Sequence, residues 1–154
     1  MLLYLVQHAE AKSELEDPAR DLTDKGLRDI KKMAAYLGRL KLEVRQILHS
    51  GKTRALSTAK ILAAALQPPQ GVAASPGLAP LDDPGIWAGR LAEMTGDLAL
   101  VGHLPHLGKL AALLVSGDPE KGIINFKMAG VVCLRRLAPG QWVVEWLIIP
   151  EVIL

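Results

Sequence analysis

A chain of 154 residues, half of them hydrophobic and 22% charged, has the composition of one globular domain rather than a disordered or fibrous protein, and is long enough to bury a core without covalent staples. A formal net charge of +2, with no basic run, excludes the dense cationic face of a nucleic-acid binder, and the single cysteine, Cys133, excludes an intramolecular disulfide and a Cys-rich zinc site. No stretch approaches the ~20 apolar residues that a membrane helix needs, and Met1 to Val6 is too short for a secretory leader, so the expectation is one domain over residues 1–154, cytoplasmic, with no membrane or nucleic-acid partner.

The first element is Leu2 to Val6, apolar without alternation, which predicts a strand buried on both faces. Glu10 to Arg20 is charged, is broken by Pro18 and reads as a loop. Thr23 then offers an N-cap, and Leu27, Ile30, Met33, Ala34 and Leu37 recur at helical spacing. Gln46 to His49 predicts a second short strand. Ser50 is expected to cap a second helix whose apolar stripe is Leu56, Ala59, Leu62, Ala63 and Leu66, stopped by Pro68-Pro69. Gln67 to Asp83, rich in proline, reads as a loop, Gly85 to Met94 as a third helix, and Leu98 to Val101 as a strand ending at Gly102-His103. Leu104 to Val115 predicts a fourth helix beginning near Pro105, a residue tolerated in a first turn. Gly130 to Leu137 and Gln141 to Ile149 flank Ala138-Pro139-Gly140 and read as an antiparallel hairpin. Alternating strands and helices followed by a hairpin predict a three-layer α/β/α domain with a mixed, mostly parallel sheet.

The chemically interesting residues fall just past predicted strands: His8 after the first, His49 and Ser50 after the second, His103 after the last of the alternating series. In open α/β sheets ligands gather at the carboxyl ends of strands, so three segments distant in sequence can meet there. A neutral imidazole, with an ordinary pKa near ~6.5, is a competent nucleophile at phosphorus, which makes His8 the candidate nucleophile. Arg54 falls in the first turn of the second predicted helix, where free N–H groups and the helix dipole favour an anion and its guanidinium fork matches phosphate oxygens in pairs. Gly102 and Pro105 constrain the backbone around His103. His103 and His106 lack a nearby cysteine or carboxylate partner, so no metal is expected, and His49 and His106 read as structural.

These strings, taken in order, resemble the histidine phosphatase superfamily, also called phosphoglycerate mutase-like: Leu5-Val6-Gln7-His8-Ala9-Glu10-Ala11, Arg20-Asp21-Leu22-Thr23-Asp24-Lys25-Gly26, Ser50-Gly51-Lys52-Thr53-Arg54-Ala55, and Gly102-His103. Within it, the short length and the His-Ala-Glu-Ala and Arg-x-Leu-Thr-x-x-Gly strings look like the SixA-type phosphohistidine phosphatases. The resemblance extends to Phe126-Lys127-Met128-Ala129-Gly130 before the hairpin. It implies a phosphoglycerate mutase-like fold, no cofactor, and a two-step transfer in which His8 takes the phosphoryl group and water releases it. Arg54 and His103 would hold the non-bridging oxygens, with Gln7 and Arg20 as further phosphate contacts.

Two departures from the family pattern bear on function. The nucleophile normally follows an arginine, and here Gln7 stands in that place, replacing a charged bidentate donor with an amide; Lys12, Arg20 or Lys52 are candidates to compensate. The usual glycine after the nucleophile is Ala9. The glutamate that larger relatives use as general acid has no counterpart in Pro76-Gly77-Leu78-Ala79-Pro80, leaving Asp82 and Asp83 as candidates. A sugar alkoxide needs a proton to leave, whereas the imidazole of phosphohistidine leaves readily, so the missing acid favours a P–N substrate. The short Gln67 to Asp82 connection leaves no room for a large lid and suits a phosphorylated protein surface. The alternatives are a small phosphomonoester substrate, or a phospho-ligand binding module weakened by Gln7.

Overall fold

The computed structural model describes residues 1–154. Six strands form one sheet in the order β3-β2-β4-β1-β5-β6, with β1 at Leu2–Gln7, β2 at Gln46–His49, β3 at Val72–Ala74, β4 at Leu98–Gly102, β5 at Val131–Ala138 and β6 at Gln141–Ile148. The first four run parallel, and β5 and β6 add an antiparallel hairpin beside β1. Four helices cover the faces: α1, Asp24–Arg39; α2, Thr53–Leu66; α3, Pro84–Ala92; and α4, His106–Ser116. The fold is therefore the three-layer, mostly parallel α/β/α arrangement that the pattern predicts. No helix is long and apolar enough to cross a membrane.

The apolar run of β1 is explained by its place between two cores. Tyr4 and Val6 point to one face and pack with Ile30, Met33 and Leu37 of α1 and Ala59 and Leu62 of α2. Leu3 and Leu5 point to the other and pack with Trp87, Leu91, Leu107 and Leu110 of α3 and α4. A strand covered on both faces has no polar side to alternate with.

Two local expectations need correction. The segment 67–83 is not all loop, because Val72–Ala74 adds an edge strand beside β2; three residues are too few to leave a periodic signature. The second helix begins at Thr53 with Lys52 at the N-cap and no side-chain cap bond, so Ser50 does not cap it. The turn between β2 and α2 uses Gly51 at φ +91, where glycine avoids the steric penalty of a Cβ, and this carries Ser50 away from the helix end. Thr23 does cap α1, accepting from Gly26 N at 3.0 Å.

Candidate active site

The site begins where β1 ends. Backbone bonds from His8 N to Gly102 O and from Ala129 N to Gln7 O, both 3.0 Å, hold the exit of β1 between β4 and the loop before β5. His8 Nδ1 lies 2.7 Å from Ala9 O. A carbonyl can only accept, so Nδ1 carries the proton and Nε2 presents its lone pair. Ala9 is fully buried, and its N–H donates to Thr58 Oγ1 at 3.0 Å. Thr58 Oγ1 in turn donates to Arg54 O at 2.8 Å. One hydroxyl thus ties the residue after His8 to the first turn of α2. Ala9 has no positive φ, so alanine fits where the family carries glycine.

His103 leaves β4 with its ring centroid 5.0 Å from that of His8. It is 2% exposed. Its Nε2 is 2.6 Å from Ser50 Oγ. Burial, the neighbouring His8 ring and the charges of Arg54 and Lys52 push its pKa down to about 3, leaving it neutral at physiological pH. Burial also lowers the pKa of His8, against the hydrogen bond to Ala9 O, which raises it; Arg54 and Arg20 lower it further. His8 is therefore neutral at neutral pH, with an unprotonated Nε2.

Arg54 is the second residue of α2, with Nε buried and without a partner. Burial and the Arg20 charge both disfavour its cationic form. Arg20 comes from the loop after β1. It adopts a left-handed φ of +52, uncommon for a residue with a Cβ, and its Nε donates to Lys12 O at 3.1 Å. The loop is pinned by Lys12 N to Asp21 O at 2.8 Å, and Ser57 of α2 donates to Asp21 Oδ1 at 2.7 Å. A Cβ on Gly26 would strike the backbone of Glu10, so α1 can press on this loop only because residue 26 is glycine.

Three buried polar atoms around this point have no partner within the chain: Gln7 Oε1, Arg54 Nε and His103 Nδ1. Of these only Arg54 Nε is a donor, but with Arg20 added two guanidinium charges act on His8, and neither forms an ion pair with a carboxylate, which is the chemistry of an anion site. Of the three candidates to offset Gln7, Arg20 acts electrostatically on both His8 and Arg54, Lys52 acts on His103, and Lys12 contributes its backbone carbonyl to Arg20. Asp82 Oδ2 accepts from Ala79 N at 2.9 Å, and Asp83 Oδ1 caps α3 by accepting from Gly85 N at 2.8 Å. Their field reaches His106, a ring 1% exposed with neither nitrogen bonded. His49 Nδ1 accepts from Gly51 N at 3.0 Å and shapes the turn before α2. The Thr58 link and the Ser50–His103 contact are not foreseen from the sequence, although Thr58 lies four residues after Arg54 on the same helix face.

A family model, the histidine phosphatase superfamily (branch 1), matches residues 3–105. The chain is 28% identical over 136 residues to phosphohistidine phosphatase SixA of Escherichia coli, covering 85% of this chain and 84% of that protein. It is 37% identical over 142 residues to an uncharacterized protein of Picosynechococcus, covering 88% and 85% of the two chains. The solved structure of the protein histidine phosphatase SixA complexed with tungstate superposes with a TM-score of 0.87 at 26% identity, over 98% of both chains. A mycobacterial glucosyl-3-phosphoglycerate phosphatase with VO3 shares the fold, with a TM-score of 0.74 at 15% identity over 94% and 97% of the chains.

Proposed function

As the chain belongs to the histidine phosphatase superfamily, we propose that it is a phosphatase hydrolysing phosphohistidine on a protein, with His8 as the nucleophile. Nε2 of His8 attacks phosphorus as the P–N bond to the substrate imidazole breaks, and the departing imidazole takes a proton from solvent. Water then attacks the phosphoryl group on His8, releasing inorganic phosphate and restoring the lone pair. Arg54 and His103 hold the non-bridging oxygens, and Arg20 supplies the second guanidinium near the anion, where the family would place an arginine at residue 7. No cofactor takes part.

The observation that carries this reading is the fixed tautomer of His8: the 2.7 Å bond from Nδ1 to Ala9 O leaves Nε2 free, beside His103 and within the field of Arg54. The engagement of Asp82 and Asp83 with backbone N–H groups supports a substrate whose leaving group needs little acid catalysis. The tungstate complex of SixA supports it as well, since tungstate is a phosphate-like oxyanion. The test is a comparison of kcat/KM on a histidine-phosphorylated protein and on sugar phosphates. A preference for the phosphoprotein is expected, and a preference for a sugar phosphate would move the assignment to a small-molecule phosphomonoesterase. Gln7 gives the third reading its footing. Phosphate binding without turnover on either substrate would make the protein a phospho-ligand binding module.

A further inference from the structure

Ser50 lies at the end of β2, and β2 pairs in parallel with β4, so the residues following each strand are brought side by side. Its hydroxyl oxygen is 2.6 Å from His103 Nε2 and accepts from Lys52 N at 3.4 Å. His103 is neutral, so it has a single ring N–H to offer. The position of that proton decides what the ring can do. Nδ1 has no partner in either case, and an unpaired buried N–H is costlier than the unpaired lone pair that Nδ1 otherwise carries. On Nε2 the proton points at Ser50 Oγ.

We propose that Ser50 is a positioning residue for phosphoryl transfer: its Oγ accepts the Nε2–H of His103, fixing the ring plane and the tautomer so that an N–H donor is already in place. A phosphoryl oxygen entering beside Arg54 is a stronger, charged acceptor and takes over the same N–H. The donor is then organised before the substrate arrives, instead of being reorganised during the reaction. This inference rests on the phosphatase reading for its catalytic consequence but not for the tautomer itself.

Two measurements on wild-type, Ser50→Ala and Ser50→Thr proteins test it. The ring nitrogens of His103, read by 15N-edited NMR without substrate, should report Nε2–H in wild type and a shift of population toward Nδ1–H in Ser50→Ala. On phosphohistidine substrate, Ser50→Ala should lose between about three- and tenfold in kcat, the range expected for one neutral hydrogen bond. Ser50→Thr, which keeps the hydroxyl, should restore both. An unchanged tautomer in Ser50→Ala, or a changed tautomer with unchanged kcat, would overturn the proposal. If wild type hydrolyses no phosphorylated substrate, the functional reading falls, and the NMR result still decides whether Ser50 sets the tautomer.

Discussion

The two ends of the sheet differ in a way that separates space from function. At the amino end of β1 lies a cleft of about 600 Å³, lined by Met1, Ala92, Leu114, Leu137 and Trp142. Its one charged lining residue, Arg136, is committed: it donates to Leu91 O and Met94 O, each at 2.8 Å, and lies 5.7 Å from the centroid of the Trp142 ring. At the carboxyl end, Gln7, Arg54 and His103 each bury a polar atom with no partner, and the charge of a second guanidinium, that of Arg20, acts on Arg54. Room alone does not mark a site. Polar groups left unsatisfied at a structural cost do, because a folded chain keeps such groups only where something else completes them.

The largest expected effects are at the carboxyl end. If His8 is the nucleophile as proposed, His8→Ala should reduce phosphatase turnover by about a thousandfold or more. Its thermal unfolding should stay near wild type, since His8 is only partly buried and packs no core. Arg54→Ala should lose roughly ten- to a hundredfold, the value of a charge-assisted contact, and Arg54→Lys should recover only part of it. Burial and the Arg20 charge both disfavour the cationic Arg54, so Arg54→Ala should unfold no earlier than wild type in the absence of phosphate. A large loss of stability would mean that Arg54 belongs to the scaffold, and the contrast between the two ends would collapse.

Gln7→Arg sharpens the contrast further. The amide oxygen of Gln7 is a buried acceptor without a donor, the wrong polarity beside an anion. Replacing it with a guanidinium should tighten inorganic phosphate binding by about tenfold, an effect that shrinks as salt is added. A weaker binding constant would show that Arg20 already fills the space.

Much of this was legible in the chain. Thr23 and the apolar stripe of α1 announce the helix, whereas the tight approach of Gly26 to the loop after His8 shows only in the structure. The double-faced apolar run of β1 announces a central strand. Ser50 was misread because a serine before a helix is usually its cap, and only the parallel pairing of β2 with β4 brings it to His103. The edge strand β3 is too short to carry a period, and the placement of Arg20 depends on a left-handed backbone and a Ser57–Asp21 bond between distant segments. Contacts fixed by topology are not written in local spacing.

Smaller effects concern stability. An unfolded imidazole titrates near ~6.5, whereas His103 in the folded protein titrates at about 3. Above the unfolded value both states are neutral and the ring adds no pH dependence. Between that value and about 3 only the unfolded chain takes up the proton, so stability falls as acid is added through this window. His8, His49 and His106 are shifted in the same direction and add to the loss. His103→Gln should flatten the stability profile by up to ~1.4 kcal/mol per pH unit in that window, read from urea unfolding midpoints. At the opposite end, Arg136→Ala should cost about 1–3 kcal/mol through lost carbonyl and ring contacts, with kcat/KM unchanged. A kinetic defect there would make the large cleft part of the functional surface.

If His8 carries the phosphoryl group in transit, the phosphorylated ring can be trapped. Wild-type protein mixed with a 32P-labelled phosphohistidine protein and quenched rapidly into alkali, where phosphohistidine survives, can be digested and mapped. Label is expected on the peptide containing His8, absent in His8→Ala and accumulated when hydrolysis of the intermediate is slowed. Full turnover of substrate with no label on His8 at any quench time, or undiminished turnover by His8→Ala, would contradict that role of His8.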